Sequence, residues 1–147
     1  MATQRRKFKA DVVRSIQIAM ALANFTDGGG TVGTFDASNI QLPAGSQVLG
    51  VKIVGGNFSG DTTASVSVGT SGTATLFSGA AKTGFEAAFP VTAYGAPAAE
   101  ADAAIAAATP IRCSVTGAAD FTSIVTANAG GKLYVEVYYL DLNSKSK

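Results

Sequence analysis

The sequence predicts an all-β fold of antiparallel strands arranged as a β-sandwich, and three observations support this prediction. Short segments with apolar residues at alternate positions recur along the chain, and Gly, Pro, Asn, Asp or Ser bounds each of them. No apolar run with helical spacing comes between them, as the crossover helices of a parallel sheet would require. The length of 147 residues is that of a single domain.

The predicted strands follow one another at short intervals. In chain order they lie in ADVVRSIQIAM, QVLGVKIVG, TTASVSVGT, TATLFSG, FEAAFPV, PIRCSVTG, FTSIVTA and KLYVEVYYLDL. The last is the clearest, because its apolar positions Leu133, Val135, Val137 and Tyr139 alternate with Tyr134, Glu136, Tyr138 and Leu140. The LPAG segment predicts a turn into QVLGVKIV. We interpret the glycines before that turn, and the alanine-rich segment from Ala96 to Thr109, as loops.

Three glycines, Gly28, Gly30 and Gly33, match the G-x-G-x-x-G fingerprint of dinucleotide-binding proteins. That fingerprint requires a helix after the third glycine and an acidic residue about 20 positions further on. Pro43 would interrupt such a helix early, and QVLGVKI carries no acid. The glycines therefore indicate a turn, and we expect no nucleotide cofactor.

The ionisable residues argue against most catalytic chemistry. The chain has no histidine, which removes imidazole-activated nucleophiles and histidine-bearing zinc sites. Its one cysteine, Cys113, is expected to be a buried apolar residue. Glu100 and Asp102 are interpreted as solvated acids in a loop rather than a catalytic pair. A calcium site among Asp27, Asp36 and Asp61 remains an open alternative without a recognised ligand spacing. We expect no enzyme activity.

The charge is distributed unevenly although the net charge is only +1. Seven basic residues and one acidic residue lie at the two ends, whereas four basic and nine acidic residues lie between them.

The basic N-terminus followed by IQIAMALANF resembles a signal peptide, but Asp11, Arg14 and Gln17 interrupt its apolar region. The same interruptions argue against a membrane-spanning helix, so we expect no membrane association.

Four segments together carry a family resemblance: IQLPAGSQVLGVKIVGGNFSGDTTASVSVGT, the LFSG segment, TPIRCSVTG and AGGKLYVEVYYLD. From about Phe35 to Asp141, the chain resembles a family of small tailed-phage virion structural proteins, the capsid decoration or cement proteins. The resemblance implies a jelly-roll-like sandwich, a trimer as the oligomer, the major capsid protein as partner, and a place on the capsid surface after synthesis in the host cytoplasm. The alanine-rich loop and the lack of tryptophan depart from the family pattern.

The chain is divided into an N-terminal arm (residues 1–9), a sandwich domain (10–142) and a C-terminal tail (143–147). The arm carries Arg5, Arg6, Lys7 and Lys9 and no acid, and a solvated tail is its simplest interpretation. We expect instead that these four cations contact the acidic body of a neighbouring copy or an acidic patch on the capsid protein. Nucleic acid is not the expected partner, since a decoration protein lies outside the shell.

Two other functions stay open. One is a different phage structural role, such as a head fibre base, a neck component or a tail module that binds glycans through exposed aromatic rings. The other is an enzyme, because a sandwich by itself does not determine function.

Overall fold

The computed structural model describes residues 13–56, 58, 61–87, 90–99, 105–128 and 131–142. Within them the chain forms two four-stranded antiparallel sheets, which confirms the predicted all-β sandwich. Two sheets of four strands are also the layers of a jelly roll. Residues 1–12 and 143–147, which contain the predicted arm and tail, lie outside the described residues, so the division at residues 9 and 142 stays a prediction.

Eight strands and one short helix make up this described part. The strands are β1 (Val13–Ala21), β2 (Thr26–Asp27), β3 (Val32–Leu42), β4 (Ser46–Gly55), β5 (Ala64–Gly69), β6 (Val91–Gly95), β7 (Thr109–Gly117) and β8 (Lys132–Asp141). A 3-10 turn (Leu22–Asn24) follows β1, and helix α1 (Phe121–Ala127) joins β7 to β8. No helix among the described residues is long and apolar enough to cross a membrane.

Sheet A has the strand order β1-β8-β4-β6, and sheet B has the order β2-β3-β7-β5. The core lies between the sheets, and side chains at alternate strand positions supply it. Strand β8 buries Leu133, Val135, Val137 and Tyr139, as its alternation predicts. Strand β7 buries Ile111, Cys113 and Val115 from the opposite sheet. The predicted burial of Cys113 is thus confirmed, and desolvation raises the pKa of its thiol to about 12.

The predicted LPAG turn lies between β3 and β4. The amide of Ser46 donates to the carbonyl of Pro43 at 3.2 Å. Gly45 has a φ of 79°, a left-handed conformation that glycine adopts without steric cost. The turn therefore starts β4 at Ser46 and sets its buried positions, among them Val48, Val51 and Ile53.

The interpretation of the glycines before this turn as loop is confirmed for Gly28 and Gly30 but wrong for Gly33, which lies in β3. The sequence did not predict β3, which pairs with β7 from Val32 to Ala37 and again at Gln41 and Leu42. The register shifts between Ala37 and Gln41, opposite Ile111 and Pro110. Proline has no amide hydrogen, so it cannot complete the ladder at that position. The polar segment DASNIQ does not read as a strand, because the irregular pairing of β3 leaves no simple alternation of apolar residues in it.

The predicted strand FTSIVTA is also wrong, because these residues form α1. The carboxylate of Asp120 accepts from the amide of Thr122 at 2.9 Å and caps the first turn. Phe121 and Ile124, three residues apart, are both buried on the same side of the helix. The cap and the burial of these two side chains outweigh the strand preference of the β-branched residues.

Two further predicted strands are wrong in the residues that the structure describes. TATLFSG forms turns alongside β5, where the amides of Phe77 and Ser78 both donate to the carbonyl of Val68 at 3.0 Å. In FEAAFPV only Val91 belongs to a strand, and residues 88 and 89 lie outside the described residues. Phe77 and Phe85 are nevertheless fully buried, so these segments complete the core without pairing as ladders.

The alanine-rich segment is loop where it is described, at residues 96–99 and 105–108, whereas Glu100 and Asp102 fall outside the described residues. Ile105 fastens it to the turn before β4. Its amide donates to the carbonyl of Ser46 at 2.9 Å, and its carbonyl accepts from the amide of Gly45 at 2.8 Å. The Ile105 side chain is buried, which fixes the entry into β7.

The third glycine of the apparent nucleotide fingerprint has a packing role. Gly33 lies within β3, and the ring of Phe121 occupies the space that a Cβ atom would take. The ring is buried and packs against Phe25 with centroids 6.1 Å apart. Close approach of α1 to β3, rather than binding of a phosphate, explains why glycine is required here.

We expect Gly33→Ala to lower the free energy of unfolding by roughly 1 to 3 kcal/mol, the usual cost of overpacking a core. The matched control is Gly30→Ala in the preceding turn, where an added Cβ meets nothing within 4 Å. That control should change stability by less than about 0.5 kcal/mol. Urea unfolding of the two variants measures the difference, and equal midpoints would contradict this role of Gly33.

Candidate interaction surface

The outer face of sheet A carries an unusual set of side chains for a surface exposed to solvent. In β8 the residues that alternate with the buried row are Tyr134, Glu136, Tyr138 and Leu140, all half-buried. Successive strand residues point to opposite faces, so these four share the outer face. Tyr134 and Tyr138 are separated by about 14 Å along the strand, at roughly 3.4 Å per residue.

Strand pairing places partners on both sides of this row. Tyr138 lies opposite Ser15 of β1 and Gly50 of β4. Tyr134 lies opposite Ala19 of β1 and Val54 of β4. Each tyrosine thus has only small or medium-sized neighbours on the adjacent strands, which leaves its ring accessible from solvent.

The middle row is polar and ends in a third tyrosine. Glu136 lies opposite Gln17 of β1 and Lys52 of β4, and Lys52 in turn lies opposite Tyr94 of β6. Tyr94 is the most exposed large hydrophobic residue in the described part of the chain, at 68%. We call the set of Gln17, Lys52, Val54, Tyr94, Tyr134, Glu136, Tyr138 and Leu140 the tyrosine face.

Hydrogen bonds fix the centre of the tyrosine face. A hydrogen bond with the Tyr138 hydroxyl contributes most to lowering the pKa of Glu136. The Nε2 of Gln17 donates to the Oε1 of Glu136 at 3.2 Å, and the charge of Lys52 acts in the same direction. At neutral pH the face therefore holds one ionised carboxylate as a fixed acceptor among three phenol rings.

The pKa of Tyr138 is raised, first by its hydrogen bond to Glu136 and then by desolvation and the carboxylate charge. Tyr134 and Tyr94 also contribute to this shift. Tyr94 comes from a strand two positions away in the sheet, and it lies in the row of Glu136, between the rows of Tyr134 and Tyr138. The three tyrosines therefore occupy neighbouring rows of one sheet face.

Exposed aliphatic side chains extend the tyrosine face toward the end of the sheet where β1 starts. Val13 is 53% exposed and lies opposite Leu140. Leu49 is 44% exposed at the irregularity in the pairing of β4 with β8. Tyrosine is enriched at the centres of protein interfaces, because it gives a large contact area with little loss of side-chain freedom. The arrangement has the composition of a protein contact surface.

The outer face of sheet B has a different character. One row across this sheet consists of Thr26, Thr34, Ser114 and Ser67, of which the two serines are buried. The next carries Asp36 opposite Arg112, whose Nε and Nη2 donate to the two carboxylate oxygens at 2.7 and 2.6 Å. This pairing lowers the pKa of Asp36 and raises that of Arg112. Hydroxyl groups and a closed ion pair offer little apolar area, although Val32 at the edge is 37% exposed.

The three carboxylates considered for calcium have separate partners. Asp27 accepts from the Thr122 hydroxyl at 2.6 Å and from the amide of Gly29 at 2.8 Å. Asp36 pairs with Arg112, and Asp61 accepts from the amides of Thr62 at 2.6 Å and Ala119 at 2.9 Å. Across the described ranges, no three acidic or cysteine side chains come together as metal ligands would. Asp27 and Asp61 hold loops in place, and Asp36 links β3 to β7.

The predicted contact residues of the arm, Arg5, Arg6, Lys7 and Lys9, lie outside the described residues, and their role stays a prediction. The tyrosine face was not identified from sequence as a surface. The alternation in β8 could have placed Tyr134 and Tyr138 on the solvent side. Nothing local to VTAYG indicates that Tyr94 joins them, because that depends on the pairing of β6 with β4.

No protein-family model matches the chain, and no curated protein matches it. Among solved structures, it is similar to a family two carbohydrate esterase from Cellvibrio japonicus, at 11% sequence identity and a TM-score of 0.31. The alignment covers 87% of this chain and 33% of the esterase chain, so the chain spans about a third of that protein's length. A likeness at this TM-score carries no argument about activity.

Replacing Glu136 by Gln should lower the pKa of Tyr138 toward the ordinary 10.0, because the carboxylate charge and its strong acceptor are removed. An NMR titration of the tyrosine ring signals measures this shift. Glu86→Gln is the matched control, since Glu86 accepts from the amide of Ala64 in sheet B and does not contribute to the pKa of Tyr138. An unchanged Tyr138 titration in Glu136→Gln would contradict the hydrogen-bonded cluster.

Proposed function

We propose that the protein is a phage virion structural protein that decorates the head shell and stabilises it as a cement protein, through protein–protein contacts. The observation that supports it best is the tyrosine face, a solvent-facing sheet surface with three clustered tyrosines and exposed aliphatic neighbours. Its sequence segment KLYVEVYYLD is also one of those that resemble the phage decoration family.

The tyrosine face suits attachment to a protein surface for two reasons. The rings and aliphatic groups of Tyr94, Tyr138 and Leu140 lose water when a partner covers them, which favours association. Glu136 and Lys52 add one acceptor and one donor that fix the orientation of the partner. The proposed partner is the major capsid protein, and the copies on the shell are proposed to form a symmetric oligomer, expected to be a trimer.

The arm supplies the electrostatic part of the proposal. Arg5, Arg6, Lys7 and Lys9 would contact an acidic patch on the capsid protein or on a neighbouring copy. Exposed ion pairs each contribute about 0 to 1 kcal/mol and are screened over roughly 8 Å in physiological salt. Four together would steer attachment and make it sensitive to ionic strength.

The tyrosine face also favours a second candidate function, the binding of glycans by a fibre, neck or tail component. Exposed rings stack on sugars, and the adjacent Glu136 and Gln17 could bond to sugar hydroxyls. The aliphatic side chains Val13, Leu49 and Leu140 favour a protein partner instead, because sugars present many hydroxyl groups that would lose water against them. We propose no catalytic activity for this surface.

The test is binding of the full-length protein to phage particles that lack it, followed by sedimentation and quantification of bound copies. A cement protein should reach hundreds of copies per particle, whereas a neck component would be limited to about a dozen. Tyr94→Ala should weaken attachment roughly tenfold or more, the loss typical of a central interface tyrosine. Bound wild-type protein should also be released as the salt concentration rises.

Thr34→Ala on the outer face of sheet B is the matched control, and it should bind as the wild type does. Occupancy of about a dozen copies, or attachment that Tyr94→Ala leaves unchanged, would contradict the proposed decoration role. Loss of binding after treatment of the particles with glycosidases would favour the glycan-binding alternative.

A further inference from the structure

A groove opens between the two sheets on the side where β1 and β3 lie. Its volume is about 220 Å³, and residues 17–19 of β1 and 35–40 of β3 line it. Consecutive residues of a strand point to opposite faces, so a groove lined by consecutive residues runs along the strand edges. Both backbones therefore border this groove, which we call the edge groove.

The edge groove has an apolar interior and an open rim. Ile18 and Ala37 are buried beside it, and Phe35 is half-buried. Ile40 is 39% exposed at the rim. Residues 38–40 have no opposite residue on β7, because the register shifts between Ala37 and Gln41.

Strand β1 is an edge of sheet A. On the side of β3 away from β7, pairing among the described residues is limited to Gly33 and Thr34, which pair with β2. The other edges in the described part of the chain are better protected. Strand β6 has five residues, β2 has two, and the segment around Lys82 bonds to Val66 of β5 at 2.8 Å. In contrast β1 has nine residues, of which only Arg14 is charged. A long edge with few charges is a template for an added strand.

The sequence just before β1 has the pattern of such a strand. Phe8, Ala10 and Val12 alternate with Lys7, Lys9 and Asp11. A strand with this alternation has an apolar side for the groove and a charged side for solvent.

A tight hairpin is an unfavourable way for the arm to pair with the β1 edge of its own chain. A tight hairpin at residues 11 and 12 would pair Lys9 with Arg14, two like charges, and would bring Arg5 and Arg6 opposite Ile18 and Gln17. The two turn residues would be Asp11 and Val12, whereas tight hairpins favour Gly or Asn. In extended form, Phe8 reaches up to about 17 Å from Val13, far enough to meet another molecule.

We propose that residues 6–12 of one copy bind as an added β-strand in the edge groove of a second copy, with Phe8 entering between the sheets. This inference specifies how copies of the proposed oligomer contact one another. It rests on the proposed function only for the expectation that copies associate. It requires no capsid, so a test with the isolated protein separates its failure from failure of the decoration role.

The test is cross-linking of full-length cysteine variants in solution. Ala10→Cys in one population and Ser38→Cys in the other are mixed at high micromolar concentration and treated with a short bis-maleimide. The native Cys113 should not react with the bis-maleimide, because its thiol is buried and its pKa is raised to about 12. We expect a covalent dimer that contains one copy of each variant, identified by mass spectrometry.

Ser71→Cys in place of Ser38→Cys is the matched control, since Ser71 is exposed in the turn after β5, two strands away from β3. It should give little dimer. Phe8→Asp in the Ala10→Cys chain should lower the dimer yield roughly tenfold or more, and Phe8→Leu should preserve it. A mixed dimer no more abundant than with Ser71→Cys would overturn the proposal, as would a yield that Phe8→Asp leaves unchanged. Cross-linking only within the chain of the Ala10→Cys, Ser38→Cys double variant would also overturn it.

Discussion

The alternation of side chains in β8 is the constraint on which the rest of the structure depends. This strand lies between β1 and β4, and its buried row of Leu133, Val135 and Val137 packs toward sheet B. Because the period is two, the same strand must present the intervening residues to solvent. A slip of one residue would bury Glu136 and expose the apolar row. The packing of the core therefore determines which residues form the tyrosine face.

The sequence is most informative where both the alternation and the turn chemistry are regular. β4, β5, β7 and β8 were predicted because apolar residues recur at every second position and turn residues bound them. β3 was not predicted because its pairing with β7 is interrupted opposite Pro110. α1 was misread because the burial of Phe121 and Ile124 depends on tertiary packing, whereas its cap at Asp120 is a local contact. Local secondary-structure propensity does not indicate which long-range contacts will form.

The candidate surface was predictable only in part for the same reason. Two of its tyrosines lie on one strand, and their spacing of four residues places them on one face. Tyr94 joins them through the pairing of β6 with β4, a strand that lies about 40 residues before β6 in the chain. The carboxylate of Glu136 also accepts a hydrogen bond from Gln17 of β1. Four strands thus build a surface that no single segment encodes. The edge groove likewise combines an edge strand of one sheet with an irregular strand of the other.

The central claim is that the tyrosine face is the surface through which the protein attaches to a protein partner. Hydroxyl-radical footprinting of the protein, free and bound to particles, tests this claim most directly because it reports the accessibility of individual rings. The account predicts that oxidation of Tyr94, Tyr134 and Tyr138 falls strongly on binding, whereas oxidation of the exposed Val32 of sheet B does not change. Unchanged oxidation of the three tyrosines, with protection of Val32 instead, would contradict it.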